Sequence, residues 1–505
     1  MRDGADESLW VQQLATGSNV QILAPDQVQF VAVSFTPDGN YVMFVRSDKS
    51  TTNFRYLYQM PVLGGTPKQL IRDIDSAPAF SPDGLEFAFV RGVLNPAGNH
   101  ILVAKTDGSG EHLLVERKGF GPGFSRVAWS DDGKTLAMVS AETRDGSSRW
   151  VLETISRKTG EVRDLHSFLA PTEALDWLPD GSGLLVVGID PQRGRSQISF
   201  VSYPKGETSR FTNDLTNYDN CCLAVTRDGD SLVALQNAVL SDVWVAKGDG
   251  SEARQVTADE ALGQGLDWVG NRIVAQSSSF QWSLMNADGS NRVPLTNDRD
   301  PHFQLSACSD GKHIIYDSWH DGSISLWRSD AEGSNPLKLA SLAVVGASLC
   351  APDSKSVVYG ADGAIWRVSI NGGKPEKLDL PFSQIAYSRD GKLLFYTSQR
   401  VEGGAMKSNF VILPAAGGAP LYTLQIPYGA RSARFTPDRK GIAFILSRNR
   451  AGNIWELPLT RGVPVQLTRF TGGEMFAYAW SPDGKQLAFS RGQNKTDVVM
   501  MSGFH

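Results

Sequence analysis

A short phrase, aromatic-Ser/Thr-Pro-Asp-Gly, recurs along this chain and dominates what the chain can fold into. Phe80-Ser-Pro-Asp-Gly84 is followed by the apolar run Phe87-Ala-Phe-Val90. Closely similar copies begin at Phe35, Trp129, Trp177, Val225, Tyr387, Phe435 and Trp480. Worn copies lie at Trp268-Val-Gly-Asn271, Ser309-Asp-Gly311 and Cys350-Ala-Pro-Asp-Ser354. The turn has a mechanical reason: Pro presets φ, Asp bonds its own backbone and Gly accepts positive φ. The alternating residues that follow are strand periodicity with one face buried. A second hairpin completes each unit, with an apolar-Trp-apolar strand, a Gly turn and a closing strand, as in Val243-Trp244-Val245 to Val256 and Ile454-Trp455 to Leu467. Four short strands at a period of about 37 to 49 residues, read from the spacing of the aspartates, are the blades of a β-propeller.

The expected fold class is therefore all-β, as tandem β-propellers of four-stranded blades. Eleven to twelve blades exceed a common single ring of about four to eight, so two rings are expected. The even split puts a first propeller at 1–261 and a second at 262–505. Five plus seven, and an intertwined pair whose first ring borrows the C-terminus, stay open. The first hairpin, Ser8 to Leu23, has no inner hairpin before it, and the last repeat has three strands. The reading is a chain that starts mid-blade, with upstream residues completing the first blade. Ser8–Leu23 is then expected as two strands of a blade lacking partners, or paired with Asp497–Met501.

Composition excludes several classes. Gly is 50 of 505 residues and Pro is 25, which suits many turns. No apolar run reaches the roughly 20 residues of a membrane helix, and the N-terminus carries no signal-peptide core. Net charge is −5 without a basic run, which argues against nucleic acid as a partner. Four cysteines make no disulfide framework in a chain of this length. Cys350 stands at an aromatic position and reads as core, Cys308 lies in the equivalent strand of the preceding repeat, and Cys221-Cys222 is a vicinal pair. The recurring Trp of the third strand reads as blade-to-blade packing rather than as a ligand surface.

The Pro-Asp-Gly hairpins resemble the PD40, or TolB-like, β-propeller repeat. Longer phrases, Ser8–Ile22, Leu57–Gly92, Met285–Asp298 and Phe476–Phe504, resemble the C-terminal propeller region of bacterial membrane-bound serine/threonine protein kinases. Similar regions occur in some winged-helix transcriptional regulators. The resemblance covers Ser8 to Phe504 and implies a sensor or interaction module held outside the cytoplasm, in the periplasm or at the cell surface, as part of a larger membrane-anchored protein. The kinase signatures themselves are missing: no Gly-rich nucleotide loop, no His-Arg-Asp loop and no Asp-Phe-Gly. TolB-like propellers also precede the hydrolase domain of prolyl-oligopeptidase-type peptidases. Here the nearest string to a nucleophile elbow, Gly346-Ala-Ser348-Leu-Cys350, ends wrongly. The seven histidines show no metal-ligand spacing.

The functional expectation is a non-catalytic module binding a protein, peptide or small-molecule ligand, with no cofactor and no metal. The alternatives are a stand-alone TolB-like periplasmic scaffold and the gating propeller of a peptidase. Recognition is expected on the loops between second and third strands, which vary in length. The candidates there are Arg144, Arg193, Arg195, Trp319, His320, Arg400, Arg448 and Arg450. An arginine rim favours carboxylate or phosphate groups.

Overall fold

A computed structural model describes residues 2–503 apart from short segments, the longest at 49–53, 119–125 and 343–347. The described residues form strands and turns and contain no helix. The strands make eleven antiparallel sheets, called A to K in chain order of their first strands. Sheets B to E and G to K have four strands each, in simple sequential order. The fold is all-β and of the β-propeller class.

The Asp-Gly turn is tighter than Pro, Asp and Gly alone would make it. Ser81 donates its hydroxyl to Asp83 Oδ1 at 2.6 Å and accepts the Glu86 N–H at 3.0 Å. Asp83 Oδ1 also accepts the Leu85 N–H at 3.0 Å. Thr36 and Ser481 repeat this arrangement with Asp38 and Asp483. These bonds, led by the hydroxyl, hold the three carboxyls below the ordinary aspartate range. Gly84 sits at φ 71°, which only glycine adopts without strain.

The chain divides into two compact units. Unit 1 comprises 1–190, 195–238 and 496–505, and unit 2 comprises 191–194 and 239–495. The expected boundary at 261/262 thus falls inside unit 2. The reason is a strand of 17 residues, Ser231–Lys247, that runs through the division at 238/239 without a break. A second long strand, Gln486–Ser502, returns through the division at 495/496. The two are neighbours in sheet F. The terminal residues therefore pair with Ser231–Lys247 and not with Ser8–Leu23, which forms its own hairpin in sheet A.

In unit 1, consecutive sheets pack face to face. Phe44 and Met60 of sheet B meet Ile22 of sheet A. Leu57 and Ile71 of sheet B meet Phe87 and Phe89 of sheet C. The series continues from C to D, from D to E, and from E to the part of sheet F in this unit. In unit 2 the packing forms a cycle. Sheet F meets G, G meets H, I meets J, J meets K, and K returns to F through Ile445, Tyr478 and Phe489. Sheets H and I are joined by the Cys308–Cys350 disulfide and by the Ser348 hydroxyl bonded to buried Asp317 at 2.9 Å.

At several turns the starting aromatic wedges between sheets. Trp177 donates its indole N–H to the Ala128 carbonyl of the preceding sheet, and Trp268 does the same to Ala479. The cysteines correct the sequence reading. Cys308 and Cys350 are not separate core residues but a cross-link, because the first strands of adjacent sheets bring their Cα atoms to 5.2 Å. Cys221 and Cys222 are also bonded to each other.

Candidate ligand-binding site

The first strand of each sheet in unit 2 has two jobs. At Leu262–Val269, Leu266 and Trp268 pack on sheet F, so the residue between them, Asp267, faces the other way. At Arg431–Phe435, Ala433 and Phe435 pack on sheet J and Arg434 lies between them. The first strands of sheets G to K, with the strand Glu474–Trp480 of sheet F, surround a channel of about 1280 Å³. One end is lined by the turn residues Gly270, Gly311, Pro352 and Arg389, the other by Phe280, Phe303 and Gln384.

Asp267 anchors the channel wall. Its Oδ1 accepts the Trp268 N–H at 3.0 Å, and its Oδ2 accepts the Ala307 N–H of the next sheet at 3.1 Å. Arg434 Nη1 approaches the same carboxylate at 3.5 Å. That is a long contact for a guanidinium and carboxylate, and it occupies one of the five donors of the group. Gln276 is buried and donates to the His302 carbonyl at 2.6 Å, fixing sheet G to the first strand of sheet H. Gln304 and Gln384 are exposed on the channel wall. Phe280 and Phe303 meet edge to face with centroids 5.4 Å apart. The arrangement offers a guanidinium, two amides and aromatic surface within one concave space. It suits a ligand with an apolar or aromatic body and a carboxylate or comparable acceptor.

Unit 1 repeats one element of this pattern. Leu175-Asp176-Trp177 matches Leu266-Asp267-Trp268. Asp176 accepts the Trp177 N–H at 3.0 Å and the Val225 N–H of the next sheet at 2.8 Å. Withdrawal from water pushes its carboxyl up to about 6 despite these bonds and the nearby Arg126. Burial also raises Glu173, with Asp219 adding to it, and lowers Arg126. The Arg126 guanidinium lies 3.9 Å from Cys222 Sγ.

The raised carboxyl has a consequence for stability. Asp176 holds its proton more tightly when folded, so its contribution is complete below about pH 4 and is lost as pH rises through about 6. The shift is worth about 2–3 kcal/mol. The turn aspartates, with lowered values, act in the opposite sense and below this window. Urea unfolding at pH 4.5 and 7 should show a loss of stability in the wild type that is smaller in Asp176→Asn. Equal pH slopes for the two proteins would refute the assignment.

Four of the eight loop candidates, Arg195, Trp319, His320 and Arg448, have described side chains. Arg195 donates to the Leu215 carbonyl in unit 1. Arg448 lies over the Trp455 ring at 4.6 Å in unit 2. Trp319 is buried, and His320 is exposed and bonded to Asp300. Arg193 and Arg450 lie outside the described residues, as do the side chains of Arg144 and Arg400. None of the four described candidates lines the channel. Sequence reading missed Asp267, Arg434, Gln304 and Gln384. The signal that finds Asp267 and Arg434 is the polar residue between two apolar ones just before the turn, as in Leu-Asp-Trp and Ala-Arg-Phe; Gln304 and Gln384 carry no such signal. Among the described residues, no group of three or more His, Cys, Asp or Glu stands close enough to hold a metal ion.

No family model matches the chain. An uncharacterized protein of Agrobacterium fabrum is 32% identical over 146 residues, which is 28% of this chain and 48% of that protein. The uncharacterized peptidase YuxL of Bacillus subtilis is 28% identical over 193 residues, 36% of this chain and 26% of the peptidase. The chain thus spans half or less of the length of the curated relatives it matches. Among solved structures, a putative TolB from Agrobacterium tumefaciens is similar with a TM-score of 0.36 and 17% identity, over 58% of this chain and 92% of the other.

Proposed function

We propose that this chain is a non-catalytic binding module, a TolB-like propeller pair that serves as the sensor or interaction region of a larger signalling receptor, such as a bacterial serine/threonine kinase. The observation that carries the binding role is the unit 2 channel, where Arg434, Gln304, Gln384 and Phe303 converge on one space. An extracytoplasmic setting is supported by the disulfides, since such bonds persist in oxidising compartments. No described helix is long and apolar enough to cross a membrane.

The test uses a panel of aromatic-acidic dipeptides, among them Phe-Glu and Tyr-Asp, followed by thermal shift and calorimetric titration. At least one should stabilise the wild type, and Arg434→Ala should weaken it about tenfold, equivalent to ~1.4 kcal/mol. The absence of any stabilising dipeptide would count against the channel. Turnover of a peptide or ester that a single Asp, Ser or His substitution abolishes would replace the binding reading with an enzymatic one. The gating propeller of a peptidase is the second reading, favoured by the match to YuxL. In that case the channel would pass unfolded peptides without retaining them.

A further inference from the structure

Six of the repeat's turns carry proline just before the aspartate, and two carry arginine instead, Arg227 in unit 1 and Arg389 in unit 2. Arginine there gives up the φ that proline presets and puts a long cationic side chain at the turn. Both side chains are exposed, but they are used differently. Arg227 Nη2 donates to the Pro82 carbonyl at 2.7 Å, which ties the turn of sheet F to the turn of sheet C. Arg389 makes no hydrogen bond or ion pair among the described residues.

Arg389 also lies where a ligand of the unit 2 channel would end. It belongs to the turn of sheet J and lines the channel, as Arg434 does. Its side chain reaches past the turn of sheet K to that of sheet F. A side chain at Gly484 would meet Arg389 Nη1 at 3.2 Å and Pro437 Cβ at 2.9 Å. Pro437 follows Arg434 by three residues, roughly 10 Å of extended chain, so one small molecule can reach both guanidiniums. The acids near Arg389 are already engaged. A hollow of about 420 Å³ beside it is bordered by Asp353, Arg367 and Asp390. Asp390 is bonded to the Ser388 hydroxyl and to Arg439. Asp353 accepts the Lys355 N–H at 2.9 Å, and Arg367 is paired with Glu376 at 2.8 Å. The five donors of the Arg389 guanidinium are left for a group that the protein does not supply.

Resting on the channel as the binding site, we infer that its ligand carries two carboxylates and that Arg389 is the residue that selects for the second. One carboxylate meets Arg434 inside the channel. The other lies at the turn end, where the planar fork of Arg389 takes it in a charge-assisted pair. The ligand class is an aromatic diacid, such as a peptide joining an aromatic residue to Asp or Glu. The turn end is open to water, so this pair selects between ligands more than it adds affinity.

The test titrates the full chain at low salt with two matched pairs of dipeptides, Phe-Glu against Phe-Gln and Tyr-Asp against Tyr-Asn. Each pair differs only in the second acid. In at least one pair the acid should bind about fivefold more tightly than the amide. Arg389→Ala should abolish that preference by weakening the acid and leaving the amide as it was, and Arg389→Lys should keep part of it. The Arg389 side chain is exposed and unbonded, so both variants should retain the wild-type circular dichroism and melting temperature. Arg227→Ala, at the same turn position in unit 1, should keep the full preference. Equal binding of acid and amide by the wild type would overturn the inference while leaving the channel as the binding site. So would a preference that survives Arg389→Ala, or one that Arg227→Ala removes as well. Failure of all four dipeptides to bind would remove the channel reading and this inference with it.

Discussion

Gly492→Val is expected to be among the most damaging single substitutions in unit 2, costing about 3–5 kcal/mol. Gly492 lies on the strand Gln486–Ser502 beside Ser231–Lys247. A side chain there would overlap the Leu240 carbonyl and come within 2.7 Å of the Ser241 Cα. Both neighbours are backbone, so no rotamer change relieves the clash. The pairing at risk completes the part of sheet F that meets both sheet K and sheet G. Losing it removes one member of the cycle and not merely one contact. Calorimetry should show the destabilisation, and hydrogen exchange should rise along 239–247. Gly472→Ala is the control, because a side chain there meets nothing within 4 Å; it should stay within ~0.5 kcal/mol of wild type. A Gly492→Val protein as stable as that control would show that these strands tolerate separation.

The second large effect belongs to the Cys308–Cys350 bond. It spans 42 residues of sequence, and closing a loop of that length restricts the unfolded chain by about 2–4 kcal/mol. Cys308→Ser should lower the melting temperature by about 5–10 °C. Dithiothreitol should bring the wild type down to the level of the variant and leave the variant almost unmoved. The vicinal Cys221–Cys222 bond encloses no loop, so its reduction should add little. A wild type whose melting temperature ignores the reductant would refute the structural role of the 308–350 link.

The repeat was legible because its turn is built from local chemistry. Phe80 to Gly84 specify a hairpin whatever surrounds them, and ten further copies make the architecture unavoidable. The hydroxyl of Ser81 was legible in hindsight, since Ser or Thr stands two before Asp in most copies. The division between the units was not. Ser231–Lys247 contains no glycine or proline at 238/239 to mark it, because a strand that passes from one unit to the next has no local reason to break. The channel was hidden for a related reason. Asp267 and Arg434 are 167 residues apart, and their meeting depends on sheets F, G and K packing in a cycle. The loop arginines drew attention because loops vary, whereas the convergent polar groups sit inside the most regular strands.

The order in which the units take up the sequence also sets an order in time. Unit 2 is close to one continuous stretch, 239–495, while unit 1 needs residues from both ends of the chain. During synthesis every strand of unit 2 has emerged while 496–505 is still to come. The unit that begins first is therefore the one that finishes last, with its half of sheet F waiting for Thr496–Ser502. A nascent chain stalled before residue 496 would carry a completed second unit and an unsealed first one. Cutting the gene at any single point between the units would strand part of unit 1 on the wrong fragment.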